Sequence, residues 1–289
     1  MAMQIKVPAS SANLGPGFDS IGLAVDRYLK VTVLEPTETW VVDHDLPQVS
    51  HGATNMIVQA ALQLTPALPP HHLLVQNEIP LSHGLGSSSA AIVAGIELAN
   101  QLADLQLPPL AKVQHAARLE GHPDNVAPAI LGGVVVGTSL AEKFVAVQAP
   151  VPPVALVAYI PKYNLATKAA RAALPAHLAF GVATHASAIA NTLVAALFAQ
   201  RYDLVGPLME ADQFHEPARA ALVPELAQLR EIGHQVGAVA TYLSGAGPTV
   251  MTLLKPTRVA AFQNHVRQAG LPGQVWQLQV DQTGVQVVN

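Results

Sequence analysis

The chain has 289 residues, of which 51% are hydrophobic and 12% charged, and it contains no cysteine. This length allows one large domain or two domains of ordinary size, with ample interior to fill. The lack of cysteine excludes disulfides, thiolate zinc sites and cysteine nucleophiles, and it indicates a reducing, cytoplasmic location. A net charge of −4 with scattered basic residues argues against a nucleic acid partner.

A membrane partner is not expected either. The longest apolar stretch that we identify, roughly residues 126–137, is interrupted by Pro128 and by the pair Gly132 and Gly133. It falls short of the ~20 residues that span a bilayer, so the pattern predicts a core segment there. The N-terminus carries no apolar run typical of a signal peptide, which again favours a cytoplasmic protein.

The first half of the chain alternates strand and helix patterns. The predicted elements are a short strand at 5–7, a loop rich in Ser, Asn, Gly and Pro at 8–17, an apolar segment at 22–34, a strand at 72–77 and helices at 88–102 and 110–120. The first helix is apolar on nearly all faces and should be buried, whereas the second cannot continue past Pro123.

Three prolines within residues 149–153 mark a predicted boundary between domains 1–150 and 151–289. Beyond it, strands are predicted at 154–160, around Tyr242, at 250–254 and at 276–280. One helix should bury Leu222, Leu226, Leu229 and Ile232, with Pro224 in its first turn; another should begin at Thr257, bury Val259, Phe262, Val266 and Ala269, and stop at Gly270. Strands separated by helices in both halves predict two α/β or α+β domains.

The segment PLSHGLGSSSAA, residues 80–91, follows a strand and opens a helix. Its glycines permit close backbone approach, and its serines offer hydroxyls beside the unpaired amides of the first helical turn, which together form an anion site that could take a triphosphate. A flexible turn capped by serine is the alternative. Walker, dinucleotide-binding, GxSxG and HExxH motifs are absent from the sequence.

The loop contains neither lysine nor arginine, so a bound triphosphate would need another source of positive charge. Mg²⁺ is the obvious one, because it takes hard oxygen ligands from one or two side chains together with phosphates. Glu120 and a loop serine are candidate ligands. The alternative for Glu120 is a surface carboxylate at a helix end.

Four segments in order carry a resemblance to a known family: PASSANLGPGFDSIGLA (8–24), PLSHGLGSSSAA (80–91), EGHPDNVAPAILGG (120–133) and SGAGPT (244–249). Together they resemble the GHMP kinase superfamily, and the first and third are similar to those of homoserine kinases. The resemblance implies an α+β fold with an N-terminal ATP-binding domain and a C-terminal ferredoxin-like domain. It also implies transfer of the ATP γ-phosphoryl group to the side-chain hydroxyl of L-homoserine, in threonine biosynthesis.

The resemblance extends to individual positions. It implies ATP contacts at Asn55 and at Pro80, Leu81, Ser82, His83, Gly84, Leu85, Gly86, Ser87, Ser88, Ser89 and Ala90. It places Mg²⁺ between Ser88 and Glu120, which together with Asn125 would act in catalysis. It assigns L-homoserine contacts to Asn13, Asp19, His122, Asp124, Asn125, Thr167, Arg171, Arg219 and Gly245. Two arginines could clamp the carboxylate of this zwitterion while Asp19 pairs with its ammonium.

The sequence departs from family patterns at two places. His83 stands where many relatives have arginine, which predicts a weaker or pH-dependent phosphate contact. Some GHMP kinases have a catalytic aspartate near the position of Asn125 and a lysine where Ser10 and Ser11 stand. An amide cannot act as a base, so we favour a mechanism without a dedicated base, in which a loose transition state is served by positioning and Mg²⁺.

Two other functions remain open from the sequence. One is another GHMP kinase, acting on mevalonate, a sugar or an isoprenoid precursor. The other is a member of the fold that binds a ligand without turning it over. The family habit also suggests a homodimer.

Overall fold

The computed structural model describes residues 2–141 and 143–288. Its strands are β1 (Gln4–Ala12), β2 (Ile21–Pro36), β3 (Val41–Asp43), β4 (His71–Asn77), β5 (Val134–Leu140), β6 (Lys143–Ala149), β7 (Ala155–Ile160), β8 (Ala240–Leu243), β9 (Val250–Leu254), β10 (Gln274–Leu278) and β11 (Gln286–Val288). Its helices are α1 (Met56–Leu64), α2 (Ser87–Leu102), α3 (Pro109–Glu120), α4 (Val126–Leu131), α5 (Thr167–Ala172), α6 (Phe180–Phe198), α7 (Tyr202–Glu210), α8 (Glu216–Arg219), α9 (Glu225–Val236) and α10 (Val259–Gln268).

The first sheet is built around the long strand β2. Its strands run in the order β11-β1-β2-β4-β3, and β5 pairs with both β2 and β6. All pairs are antiparallel except β3 with β4. Helices α2 and α4 pack on this sheet, and α2 is buried along most of its length, as its apolar sequence predicted.

The second sheet has the strand order β10-β7-β9-β8, and all its pairs are antiparallel. The chain forms it as a strand, helices, two strands, the helix α10 and a last strand, which is the βαββαβ pattern of ferredoxin-like domains. Residues such as Leu229 and Phe262 from α9 and α10 cover one face, while Leu156 and Met251 join the core of the first sheet. The predicted α+β class is confirmed.

The chain crosses from the first sheet to the second between Ala149 and Ala155, across the proline-rich segment. The last strand, β11, returns to the first sheet and pairs with β1, and Val280 bridges to Val25. Residues at the end of the chain therefore lie with the first sheet. The domain division at residue 150 stays a prediction.

Several local predictions are wrong. Leu222, predicted on the buried face of α9, lies in a 3₁₀ turn before that helix and is only half-buried, and Pro224 precedes the helix instead of lying in its first turn. The strand predicted at 5–7 continues to Ala12, because the small residues at 9–12 are buried and pair with β2. The helix predicted from Thr257 begins at Val259, after a short 3₁₀ turn over Pro256–Arg258, so Thr257 is not its cap. Ala269 lies beyond the end of that helix and is exposed.

Helix α6, Phe180–Phe198, was not predicted, and by length and composition alone it could cross a membrane. Only 28% of its most apolar window is buried. Ile189, Leu193 and Leu197 on one side are buried, whereas Phe180 at its start is 85% exposed. The expected lack of a membrane partner stays a prediction.

Candidate active site

A cleft of about 160 Å³ lies where the first motif, the α2 loop and the α3–α4 turn meet α5, α8 and the β8–β9 turn. The cleft is therefore lined by segments from both the first and the second sheet. Its lining residues are Asn13, Phe18, Asp19, Ser82, His83, Gly84, Gly86, Ser87, Ser88, Ser89, Glu120, His122, Asp124, Asn125, Thr167, Arg171, Arg219, Gly245 and Ala246. The four motifs, far apart in sequence, thus converge on one place.

The N-terminus of α2 opens into this cleft. Gly86 precedes the helix with a left-handed backbone (φ 69°), and within the described ranges no side chain caps the helix and no acidic residue lies in its first turn. The backbone amides of Ser87, Ser88 and Ser89 are therefore available to an anion, and the helix dipole adds to their attraction. This is the geometry of a phosphate site.

Close packing fixes the loop in front of α2. A Cβ on Gly86 would lie 2.2 Å from Ser10 Oγ, so only glycine fits there. Ser244, in the SGAGPT turn, donates a hydrogen bond of 2.7 Å to the carbonyl oxygen of Gly84. The turn thus supports the loop from the second sheet.

Not every loop residue predicted to contact ATP faces this cleft. Leu85 and Ala90 are fully buried, so their side chains belong to the core. Pro80 and Leu81 line neighbouring grooves instead. Only the backbone at Leu85 and Ala90 could contribute to a ligand, because their side chains fill the space beneath the loop.

Glu120 ends α3 beside the start of α2. Its Oε1 accepts a hydrogen bond of 2.8 Å from Ser89, not from Ser88. Ser88 is exposed, and its hydroxyl is directed at Met56 Sδ, 3.1 Å away. Burial raises the pKa of Glu120 above its ordinary value, and the hydrogen bond from Ser89 opposes that rise only in part.

The turn after α3 presents His122, Asp124 and Asn125 to the cleft. Asp124 is buried and is hydrogen-bonded to His122 Nδ1. Burial disfavours the charged ring of His122, but the bond to Asp124 and the charges of Asp124, Asp19 and Glu120 outweigh it and raise the pKa of His122. Asn125 accepts a hydrogen bond from Ser10 at its Oδ1, 3.0 Å away.

Asp19 lies opposite this turn, held by the first motif. Its backbone amide donates to Asn13 Oδ1, while Asn13 Nδ2 donates to the carbonyl oxygen of Gly245. Arg171 from α5 binds both carboxylate oxygens of Asp19, at 2.8 and 3.1 Å. The two groups predicted to grip opposite ends of a zwitterion therefore bind each other, and this hydrogen bonding raises the pKa of Arg171.

Asp19, His122 and Asp124 surround one point of the cleft. One ligand atom from each lies within 4.8 Å of the other two, so the three could hold a cation. Thr167, predicted as a substrate contact, is the exposed first residue of α5 on the cleft wall.

Arg219 reaches the cleft from α8 and is 2% exposed. Its Nε donates to the carbonyl oxygen of Ala170, and its Nη1 donates to the carbonyl oxygen of Gly245 and to His215 Nδ1. Burial, and then the nearby charge of Arg171, lower the pKa of Arg219 from its ordinary value. Nη2 has no hydrogen-bond partner in the part of the chain that the structure describes.

His83, the residue that departs from arginine, is turned toward backbone. Its Nδ1 lies 2.7 Å from the carbonyl oxygen of Leu81 and its Nε2 lies 3.1 Å from that of Pro161. The ring therefore ties the loop to the strand β7 end, and its nitrogens are not directed at an open phosphate position.

A second, more apolar pocket of about 280 Å³ adjoins the cleft through Ser82, Ser87 and Ser88. Asn55 lines it, but the Asn55 side chain is occupied: Oδ1 caps α1 by accepting from Ile57 N, and Nδ2 donates to the carbonyl oxygen of Ser50. Asn55 thus lies where the resemblance implies, beside a pocket that could take adenine. Its side chain is not free to form a hydrogen bond with the base, because both of its polar atoms already have partners.

Three residues of this region were not predicted from the sequence. Phe18 and Ala246 line the cleft, and the buried His215 bonds Arg219 behind it. Phe18 and Ala246 lie inside segments quoted for the resemblance, so proximity to Asp19 and Gly245 was the available signal. His215 stands four residues before Arg219 and immediately precedes the short helix α8 that Arg219 ends, and its Nδ1 lies 3.1 Å from Arg219 Nη1.

Comparison with known proteins agrees with this arrangement. Residues 55–133 match the model of the GHMP kinase N-terminal domain, and residues 193–271 match that of the C-terminal domain. The chain is 64% identical to the homoserine kinase of Limosilactobacillus fermentum, over 99% of this chain and 100% of the relative. It is 58% identical to that of Lactobacillus acidophilus, with the same coverage.

A solved structure from Listeria monocytogenes, assigned as a homoserine kinase, has 43% identity and a TM-score of 0.89 and covers 99% of both chains. The chain belongs to the homoserine kinase family of the GHMP kinases.

Proposed function

We propose that this protein transfers the γ-phosphoryl group of ATP to the side-chain hydroxyl of L-homoserine, with Mg²⁺ and without a dedicated catalytic base. The observation that carries the proposal is the cleft itself, in which an open helix N-terminus faces a cluster of two arginines and three acidic residues. One side is suited to a polyphosphate and the other to a small zwitterion.

The phosphates of ATP would lie against the amides at the start of α2. The apolar pocket that adjoins the cleft at Ser87 and Ser88 is the proposed site of the adenine base, because an aromatic base prefers an apolar lining. The loop serines would then stand between the base and the transferred group.

The residues present fit a magnesium ion. Glu120 is a carboxylate whose pKa is raised by burial, and its Oε2 makes no hydrogen bond within the ranges that the structure describes. Glu120 would hold Mg²⁺ together with a loop serine. Ser88 is the serine that the resemblance implies, whereas Ser89 is the one already bonded to Glu120. Bound Mg²⁺ would neutralise charge on the transferring phosphoryl group.

The amino acid would be held at both charged ends. Arg219 offers Nη2 to a carboxylate, while its other nitrogens are fixed by backbone oxygens and His215. Arg171 and Asp19, which bind each other here, would each exchange that partner for the carboxylate and the ammonium of the zwitterion. Such an exchange conserves charge pairs, so it costs little compared with burying either charge alone.

Asn125 supports a mechanism without a protein base. Its Oδ1 already accepts from Ser10 and one N–H of its Nδ2 donates to Asp124, so it has one further N–H to offer a ligand and cannot take a proton there. It would orient the substrate hydroxyl or a phosphate oxygen, and the hydroxyl proton would leave late, to the transferred phosphate. Asp124 is the carboxylate next to Asn125, and its hydrogen bonds to His122 and Asn125 favour a structural role over that of a base.

Another small-molecule kinase of the fold remains the alternative, acting on mevalonate, a sugar or an isoprenoid precursor. Two arginines and Asp19 in one cleft favour an amino acid, because mevalonate offers a carboxylate to an arginine but no ammonium to Asp19, and an unmodified sugar offers neither charge. The homodimer, the cytoplasmic location and the lack of a nucleic acid or membrane partner stay predictions.

The test is a substrate panel with ATP and a titration of Mg²⁺, in which ADP release and phosphorylated product are measured. We expect turnover with L-homoserine, none with mevalonate or galactose, and no turnover once Mg²⁺ is chelated. Turnover with mevalonate or a sugar but not with L-homoserine would refute the assignment.

The same assay, run as kcat against pH, tests the lack of a base. With Asp124→Asn and His122→Gln we expect lower activity but an unchanged acid limb. A titrating group that disappears in either variant would show that a protein base takes part.

A further inference from the structure

The guanidinium of Arg219 is fixed by three acceptors, of which one is a side chain. Two of them are backbone carbonyl oxygens, those of Ala170 and Gly245. The third is Nδ1 of His215, 3.1 Å from Arg219 Nη1. His215 is fully buried and does not line the cleft, so it would act on a ligand through its neighbours there, by a hydrogen bond to Arg219 and by stacking on Phe18.

The partners of His215 determine which ring nitrogen carries the hydrogen. Guanidinium can only donate, so Nδ1 must be an unprotonated acceptor. Nε2 lies 3.0 Å from the carbonyl oxygen of Gly15, which can only accept, so Nε2 carries the hydrogen. The ring is therefore neutral, in one tautomer, between an arginine and the first motif.

The surroundings enforce that state. Burial lowers the pKa of His215, against the nearby charge of Asp212 and with that of Arg219. Asp212 itself is occupied, because its carboxylate accepts from the backbone amides of Phe214, His215 and Glu216 at the start of α8. Asp212 Oδ2 lies 3.5 Å from His215 Nε2, farther away than the carbonyl oxygen of Gly15 at 3.0 Å. The charge of Asp19 acts on His215 from another element, and that of Arg219 acts from the short helix α8, which His215 immediately precedes.

The ring is also held in place sterically. Phe18 stacks on it at 5.3 Å with an interplanar angle of 25°, and the guanidinium of Arg219 lies over the same Phe18 ring, 5.3 Å from its centre. Gly15, whose carbonyl His215 binds, has φ 80°, and a Cβ there would lie 1.9 Å from the carbonyl oxygen of Met209. Phe18 therefore packs against one face of the ring, and the backbone at Gly15, which supplies the acceptor, is closely packed against that of Met209.

From this geometry we infer that His215 is a positioning residue for the amino-acid substrate: as a neutral acceptor at Nδ1 it fixes the Arg219 guanidinium so that Nη2 points at the substrate carboxylate. The inference rests on the proposed function for the identity of that carboxylate. The protonation state of the His215 ring does not depend on the proposed function, because the hydrogen bonds alone determine it.

Two substitutions separate the two ends of the ring. In His215→Asn the amide oxygen can take the place of Nδ1, which keeps the acceptor for Arg219 and loses the donor to Gly15. In His215→Gln the amide nitrogen can take the place of Nε2, which keeps the donor to Gly15 and removes the acceptor for Arg219. His265→Gln, on the exposed face of α10, is the matched control for loss of a histidine elsewhere.

We expect His215→Gln to raise the KM for L-homoserine roughly tenfold or more, because a hydrogen bond to a charged group is lost. His215→Asn should stay within about threefold of wild type. The KM for ATP should remain unchanged in both variants. Equal values of the homoserine KM for Asn and Gln, or a parallel rise in the KM for ATP, would overturn the inference in favour of a purely structural role.

A readout without substrate distinguishes failure of this inference from failure of the proposed function. Ring-nitrogen NMR shifts of the wild-type protein, with the His215 signals identified by their loss in His215→Gln, should show a protonated Nε2 and an unprotonated Nδ1 between about pH 6 and 8. A protonated Nδ1 would overturn the positioning role even if L-homoserine is the substrate. If wild type does not turn over L-homoserine, the proposed function fails and this spectrum still decides the state of the ring.

Discussion

The charged groups of the cleft are bound to one another in a way that anticipates a ligand with both charges. Asp19 and Arg171 form a two-point ion pair whose side chains are 34% and 40% exposed. An exposed pair of this kind contributes little to stability, so a ligand can replace it at small cost. Arg219, by contrast, is buried and donates to the carbonyl oxygen of Ala170, to His215 Nδ1 and, together with Asn13, to the carbonyl oxygen of Gly245.

These differences predict distinct effects for the two arginines. We expect Arg171→Ala to raise the KM for L-homoserine about tenfold or more, since a charge-assisted bond is worth about 1.5–3 kcal/mol, with little change in the KM for ATP or in Tm. Arg219→Ala should raise the same KM and also lower the free energy of unfolding by about 1–3 kcal/mol, because buried acceptors lose their donor.

Steady-state kinetics and thermal melts of both variants check this prediction. Arg201→Ala is the matched control, because Arg201 forms a similar two-point pair with Asp203 on the exposed surface. An unchanged homoserine KM in Arg171→Ala, or a fall in Tm as large as that of Arg219→Ala, would contradict the assigned roles.

The N-termini of helices α1 and α2, which lie beside the same pocket, differ in whether a side chain caps them. Gly86 precedes helix α2 and provides no side-chain cap, which leaves the first amides of α2 to a ligand. Asn55 precedes helix α1 and caps it, because its Oδ1 accepts from Ile57 N. A capped helix end and an uncapped one thus stand beside the same pocket, and only the uncapped one is built to bind phosphate.

This contrast yields a prediction for Asn55. We expect Asn55→Ala to lower the free energy of unfolding by about 1 kcal/mol through loss of the cap, whereas Asn55→Ser, which keeps a capping oxygen, should retain most of the stability. The KM for ATP should change little in Asn55→Ser. Denaturant unfolding and ATP kinetics measure both quantities, and a large rise in the KM for ATP in the serine variant would instead indicate direct contact with the base.

Patterns that repeat along the chain were predictable from the sequence, and long-range partners were not. The apolar periodicity predicted α2 and β4 to within one residue, because the spacing of apolar side chains within each element indicates which of its faces is buried. The extension of β1 through Ala12 depends on β2 as its partner, and small residues with serine carry no strand signal alone. Helix α6 was missed because its many small residues show little periodicity.

The site shows the same limit. Its composition could be predicted, since four motifs name nearly all the side chains of the cleft. Which side chains pair inside the site could not be predicted. Ser89, and not Ser88, binds Glu120, and Arg171 binds Asp19, and both pairs depend on how the helices are placed relative to one another. His215 was missed since a buried histidine is defined by its surroundings, and no local pattern reports them.

For the molecule as a whole, the cleft depends on both sheets and draws together groups whose titration affects folding in opposite directions. Burial and the adjacent Arg219 lower the pKa of His215, whereas the carboxylates around His122 raise its pKa despite burial. Folding stability rises with pH wherever the unfolded chain binds more protons than the native one, and falls with pH in the opposite case. The two histidines should therefore leave opposite signatures.

The final prediction concerns the stability lost on replacing each histidine with glutamine, measured by urea unfolding from about pH 5 to 8.5. For His215 the loss should be largest above the ordinary pKa of 6.5. The loss of stability should shrink below that pH by up to about 1.4 kcal/mol per pH unit, because His215 takes up a proton in the unfolded wild-type chain but stays neutral in the native one. For His122 the loss of stability should be largest below pH 6.5. The part of it that comes from protonation of the ring should vanish as pH rises through the raised pKa of His122.

Comparison of each variant with wild type at the same pH cancels the titration of groups that neither histidine affects, such as Glu216, whose pKa is raised by burial. His265→Gln supplies the baseline for an exposed histidine. Parallel pH profiles for His215 and His122 would mean that the two rings share one protonation state. That result would contradict either the neutral state of His215, on which its positioning of Arg219 depends, or the charged state of His122 beside Asp124.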